Sequence, residues 1–166
     1  MEPGLKNHPK QATGGFTLVE VMVVLILLTL SFMVFLQALN TGKLVRVKSE
    51  IRTVQSVILN SLEQEIRARR YDENTSPPWS GTLGTDTNTE TSLALFDDID
   101  DFHQYTISSV TGYPAFSCSV AVAYVSSSNG FHTAQNSQTN YKSVMVKVMH
   151  PTLSAITDTL IISPGF

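Results

Sequence analysis

Glu20 is the side chain in this sequence that most clearly needs a chemical partner. It stands in an apolar run that opens at Phe16 and reaches about Leu36, with Val21 to Leu28 unbroken just beyond it. An ionisable group at membrane depth costs roughly 2.5 kcal/mol or more, so it marks a functional site and calls for a counter-charge. A cut between Gly15 and Phe16 would supply one, because Phe16 then gains a free α-amino group. Glu20 follows four residues later, which on a helix is one turn away along the same face. Neither charge is tolerable alone in hydrocarbon, but a paired amine and carboxylate are. The amine can belong to the same chain or to a neighbouring copy, and only the neighbour turns the pair into an assembly device.

A second constellation is Phe96-Asp97-Asp98-Ile99-Asp100-Asp101-Phe102-His103. Adjacent carboxylates raise one another's pKa unless a cation or a helix N-terminus neutralises them. Oxygen-rich clusters suit Ca²⁺ better than Zn²⁺. Asp97, Asp98, Asp100 and Asp101 are therefore candidate calcium ligands, with a solvated acidic turn, Ile99 and Phe102 pinned to the core, as the plainer alternative. Other chemistry is poorly supported. His8, His103, His132 and His150 are scattered, and Cys118 is the sole cysteine, so neither a zinc site nor an intramolecular disulfide is offered. Asp86, Asn88 and Glu90 alternate as in a calcium loop but lack its glycine and distal glutamate. No nucleophile elbow or phosphate-binding glycine loop occurs. No catalytic residue is assigned, and an enzyme is not expected.

The elements that must carry these groups are legible from periodicity. The apolar run is long enough to span a hydrocarbon core of roughly 30 Å as a helix. Beyond it, Leu44, Val47, Ile51, Val54, Ile58, Leu62 and Ile66 recur at three- and four-residue spacing and form one stripe, with Arg46, Lys48, Arg52, Gln55, Glu63 and Arg67 largely off it. Arg67, Arg69 and Arg70 suit the negative end of a helix, and Asp72, Asn74 and Pro77-Pro78 stop it. The spacing predicts one helix roughly 75–80 Å long, or two hinged at Asn40-Thr41-Gly42. Residues 72–95 read as a long polar connection, with Trp79 tucked onto the domain. Strands follow: one opening at Phe102-Tyr105-Ile107, then Phe116–Val125, Ser143–Met149 and Ala155–Ile162, in an antiparallel meander broken by a loop over 126–140.

Charge bounds the partners. The net charge is −3. From Tyr71 onward Lys142 and Lys147 face nine acidic residues (Asp72, Glu73, Asp86, Glu90, Asp97, Asp98, Asp100, Asp101, Asp158), so this part is acidic and no nucleic acid is expected to bind it. Lys6 and Lys10 precede the span while Lys43, Arg46, Lys48 and Arg52 follow it. By charge alone the C-terminal part would sit in the cytoplasm.

Gly15-Phe16-Thr17-Leu18-Val19-Glu20 followed by a long apolar run resembles the class III leader and N-terminus of type IV pilins and type II secretion pseudopilins. The resemblance covers the first quarter of the chain. It implies a prepilin peptidase that cuts after Gly15 and methylates Phe16, and a register role for Glu20 in the filament. It also implies an N-in orientation, which reverses the charge-based one, and a fold of class α+β: a long N-terminal helix packed on a C-terminal antiparallel sheet. The parts are then a leader over 1–15, a transmembrane half-helix over 16–39, an amphipathic half-helix over 40–70 and a periplasmic or extracellular sheet domain over 71–166. The implied partners are other pilin or pseudopilin subunits and the inner membrane, with later residence on the pilus at the cell surface. Two departures stand out: no disulfide bounds the C-terminal region, and Gln37 replaces the proline at which many pilin helices loosen. Asp-Asp-hydrophobic-Asp-Asp-aromatic resembles a string in minor pilins of the mannose-sensitive haemagglutinin pilus group. The resemblance thus implies a minor pilin-like structural subunit of a type IV pilus or related filament; the alternatives are a type II secretion pseudopilin, a membrane-anchored binding module that forms no filament, and a secretory signal peptide.

Overall fold

A helix occupies the N-terminal part of the chain because nothing between Leu18 and Arg67 breaks it. In the computed structural model, which describes residues 14–86 and 90–165, α1 spans Leu18–Arg67 as one continuous element of 50 residues. It runs through Asn40-Thr41-Gly42 without a break, so the hinged alternative is not realised. The side chains there support the turn: the Thr41 hydroxyl donates to the Gln37 carbonyl at 3.0 Å, as Thr29 does to Ile26 at 2.8 Å. The chain forms two compact units that divide between Arg46 and Val47. In the first, every large apolar side chain from Phe16 to Leu39 is exposed. This helix is long and apolar enough to cross a membrane, and its uniformly apolar surface needs lipid or neighbouring helices to cover it.

The second unit is built on four strands, β1 (Thr106–Ile107), β2 (Ser117–Tyr124), β3 (Lys142–His150) and β4 (Leu153–Ile162), hydrogen-bonded in that order and antiparallel throughout. The meander is the predicted one, with one change at its start. Phe102 does not open a strand; it closes a short 3₁₀ turn, Asp100–Phe102, and β1 is only two residues long. Pleating gives β2 and β3 a common inner face, where Cys118 pairs with Val148, Val120 with Val146 and Val122 with Val144. Next in that row is Tyr124 opposite Lys142.

The inner face packs against the C-terminal part of α1. Ile66 meets Phe96, Ile99, Phe102, Val120, Val122, Val144, Val146 and Leu160 in one cluster, and Ile58 meets Phe116, Cys118 and Val148 in another. The apolar stripe thus holds from Ile51 onward, whereas Leu44 and Val47 at its start are exposed. Two polar residues placed off the stripe lie on it. Gln55 is fully buried; its amide nitrogen lies 3.4 Å from the Val148 carbonyl, beside the register shift between Val148 and His150, and its oxygen accepts from Arg52 at 3.1 Å. A bulge frees backbone groups from the ladder, and a buried amide is a suitable partner for them. Glu63 is also buried, and burial first, then the nearby Asp158 charge, holds its carboxyl above the usual range.

Candidate processing site and buried charge cluster

Helix α1 begins two residues after the proposed scissile bond, and a hydroxyl fixes the boundary. The Glu20 amide donates to Thr17 Oγ1 at 3.2 Å, and the Val21 amide donates to the Thr17 carbonyl at 3.2 Å. Thr17 is therefore the N-cap and Glu20 the third helical residue, the spacing of a capping box. A carboxylate in the first turn also complements the positive end of the helix. Gly15 and Phe16 stand outside the helix, with Phe16 82% exposed and the glycines at 14 and 15 clear of neighbours. The separation of Phe16 and Glu20 is thus that of a flanking residue and a first turn, not of two helical residues. Sequence reasoning singled out Gly15, Phe16 and Glu20 but missed Thr17, whose threonine-to-glutamate spacing was the available signal. Most of the leader, residues 1–13, lies outside the described residues.

The acidic string is divided among different partners rather than gathered round one point. The Arg70 amide and carbonyl bond to the Asp97 carbonyl (3.3 Å) and the Ile99 amide (3.0 Å), drawing the string onto the end of α1. Asp97 points outward and pairs with the Arg70 guanidinium. Asp98 Oδ1 accepts from the amides of Asp100 (2.7 Å) and Asp101 (3.3 Å), while Asp101 Oδ2 accepts from those of Asp97 (2.9 Å) and Asp98 (3.3 Å). These reciprocal bonds cap the 3₁₀ turn. Asp100 turns inward to Lys142. Among the described residues, the carboxylates near enough together to share an ion are those of Glu73, Glu90 and Asp97, so only Asp97 of the proposed calcium set belongs to that group. Asn88 lies outside the described residues.

Lys142 is the residue that sequence reasoning overlooked. Its side chain is fully buried; Nζ lies 2.9 Å from Asp72 Oδ2, pairs with Asp100 and donates to the Tyr71 carbonyl at 2.6 Å. The Tyr71 and Tyr124 rings stand over it, their centroids 4.3 and 5.3 Å away. Asp72 in turn accepts from the amides of Asn74 (3.0 Å) and Ser80 (3.0 Å) and from the Ser80 hydroxyl (3.0 Å), which ties the start of the long connection to the sheet. Trp79 closes the same side, its indole N–H donating to Asn140 at 2.8 Å. Pleat parity was the missed signal, since Lys142 lies two residues before Val144 on the inner face.

Burial acts against the charge of Asp72 and of Asp98, and the outcome depends on what offsets it. For Asp72 the hydrogen bonds from Lys142, Ser80 and Asn74 outweigh burial and hold its carboxyl below the usual range. Asp98, buried and beside Asp101, is pushed up to about 6. A carboxyl whose folded pKa is raised binds its proton more tightly in the native state, so stability falls as pH rises from the unfolded value, about 4, through the folded one. We expect the full chain in detergent to have a higher Tm at pH 5 than at pH 7.5. Asp98→Asn, which keeps the accepting oxygen, is expected to flatten that slope between pH 5 and 7. An unchanged slope in that variant would reassign the effect to other groups.

Residues 10–36 match the family model of the prokaryotic N-terminal methylation motif. The match spans Gly15, Phe16, the Thr17 cap, Glu20 and the first part of the apolar run. No curated protein and no solved structure matches the chain.

Proposed function

We propose that this type IV pilin-like chain, which carries a class III prepilin leader, is a minor structural subunit of a type IV pilus or related filament. The observation that carries the reading is the methylation motif over residues 10–36 coinciding with a helix that starts two residues past the Gly15–Phe16 bond. The coupling of motif and structure has a physical basis. An exposed, non-helical Gly15–Phe16 segment is open to a peptidase, while the capped helix behind it is ready to enter a bundle. Once cut, the chain is held in the inner membrane by α1, its C-terminal unit lies in the periplasm, and the apolar flank of α1 is covered by the helices of other subunits. Glu20 sets register, because a misplaced neighbour leaves a charge unpaired in low dielectric. The lone Cys118 and the continuous helix at Gln37 favour a minor over a major subunit.

Mass spectrometry of the chain purified from its own host tests this. The N-terminus is expected at Phe16 with one N-methyl group, and a chain still beginning at Met1 would sink the proposal. For Asp97, Asp98, Asp100 and Asp101 the geometry supports a structural role, with Arg70, Lys142 and backbone amides supplying what a calcium ion would. Millimolar Ca²⁺ is expected to release no heat and leave Tm unchanged in calorimetry. Binding that Asp100→Ala abolishes would restore those residues as metal ligands, and binding lost in Glu73→Gln would place the ion at the exposed group.

A further inference from the structure

The charge cluster at the end of the sheet lies outside the methylation motif over residues 10–36, and its arrangement is that of a reaction. Lys142 Nζ lies against the carboxyl of Asp100, and apart from Lys142 neither Asp100 oxygen has a hydrogen-bond partner. A second carboxylate, Asp72, sits 2.9 Å from the same nitrogen and is fixed from behind by Asn74 and Ser80. All three charged side chains are closed to solvent, and two tyrosine rings wall the amine. An amine and an acid are thus held in contact, beside an anchored proton acceptor, where water is excluded.

We propose that Lys142 and Asp100 become joined by an intramolecular isopeptide bond after folding, with Asp72 carrying the protons. Asp72 takes one proton from the ammonium and passes it to Asp100, leaving a neutral amine beside a neutral acid. The amine lone pair attacks Asp100 Cγ, and a C–N bond forms as the C=O π pair moves onto its oxygen. Asp72 then takes a proton from the attached nitrogen and delivers it to the Asp100 hydroxyl; the carbonyl re-forms, the C–O bond to that hydroxyl breaks, and water is released. Asp72 ends as the carboxylate it began as. One ammonium and one carboxylate become one amide and one water, with no oxidant and no activated donor.

Two terms favour the product. A buried ion pair bears the desolvation cost of both charges, and Asp100 has few hydrogen bonds to offset its share; a neutral amide removes that cost for Lys142 and Asp100, while Asp72, which loses its cation, keeps the Asn74 and Ser80 hydrogen bonds. Fixing the reacting groups in contact also replaces a bimolecular encounter with a unimolecular step, the effect behind large effective molarities. The bond would close a loop of roughly 40 residues between the 3₁₀ turn and β3, the constraint that a disulfide gives other small domains. This chain, with Cys118 alone, cannot form a disulfide within itself.

The test is the intact mass of the mature full chain, extracted in detergent, followed by a peptide map. The mass is expected to be about 18 Da, one water, below that of the processed sequence with its N-methyl group included. Fragmentation is expected to find a branched peptide joining residues 100 and 142. Lys142→Arg keeps the cation but removes the nucleophile, and Asp72→Asn keeps both reacting groups but removes the proton carrier; both are expected to restore the full mass. A wild-type chain of full mass, with Lys142 in an ordinary linear peptide, overturns the proposal whether or not the variants fold. So does a deficit of the same size that persists in Lys142→Arg, since that marks ring closure at an aspartate instead.

Discussion

Lys142→Met is expected to destabilise the C-terminal unit by roughly 3–5 kcal/mol, the cost of breaking a buried charge pair by removing one partner. Methionine nearly matches the lysine stem in volume, so lost packing contributes little. The penalty comes from Asp72 and Asp100, which stay buried without the group that both contact. That figure is for the ion pair; in a cross-linked chain the same substitution removes a covalent constraint instead, which the triple variant would not restore. At that size the Tm of the full chain in detergent should fall by about 10 °C or more. The diagnostic arm is Lys142→Met combined with Asp72→Asn and Asp100→Asn, which removes all three charges and is expected to recover more than half of the loss. A single variant within about 1 kcal/mol of wild type in denaturant melts would mean the cluster is far more solvated than its burial indicates.

The cluster also shows what the sequence concealed. Periodicity resolved the parts that repeat: the apolar run, the stripe from Ile51 to Ile66 and the alternation of β2 and β3 are local patterns, and each produced the expected element. Lys142 was hidden because the predicted strand opened at Ser143, whereas β3 begins one residue earlier and pleat parity puts Lys142 in the row of Val144, Val146 and Val148. Gln55 was misplaced on the helix because a polar residue was assigned off the apolar stripe by type. The acidic string was read as needing a cation or a helix N-terminus; in the structure Asp100 pairs with Lys142 and Asp97 with Arg70. Which cation it would be depended on bringing Asp72, Asp100 and Lys142 together from three elements, and no local signal encodes that convergence. Thr17 is the opposite case, since its cap was written in four consecutive residues.

Glu20→Ala carries the largest expected effect on assembly. Cleavage after Gly15 should persist, because the scissile bond, the Thr17 hydroxyl and the helix start do not depend on the Glu20 carboxylate; the cap uses its amide. What changes is the fate of an amine. On the proposed function, every processed neighbour presents a charged N-terminus at Phe16, and in the variant that charge meets no carboxylate in a low-dielectric bundle. Losing one member of a buried pair costs several kcal/mol, and every 1.4 kcal/mol is a factor of about ten in an equilibrium. Incorporation into filaments should therefore fall roughly tenfold or more, measured as the ratio of sheared to membrane-bound protein, with processing unchanged on mass spectrometry. Glu20→Gln separates charge from hydrogen bonding, since its amide oxygen still accepts from the amine but offers no counter-charge. It is expected to lie between Ala and wild type. Wild-type incorporation of both variants would leave Glu20 as a helix-cap residue only, and the register role would have to be sought elsewhere along the exposed apolar face of α1.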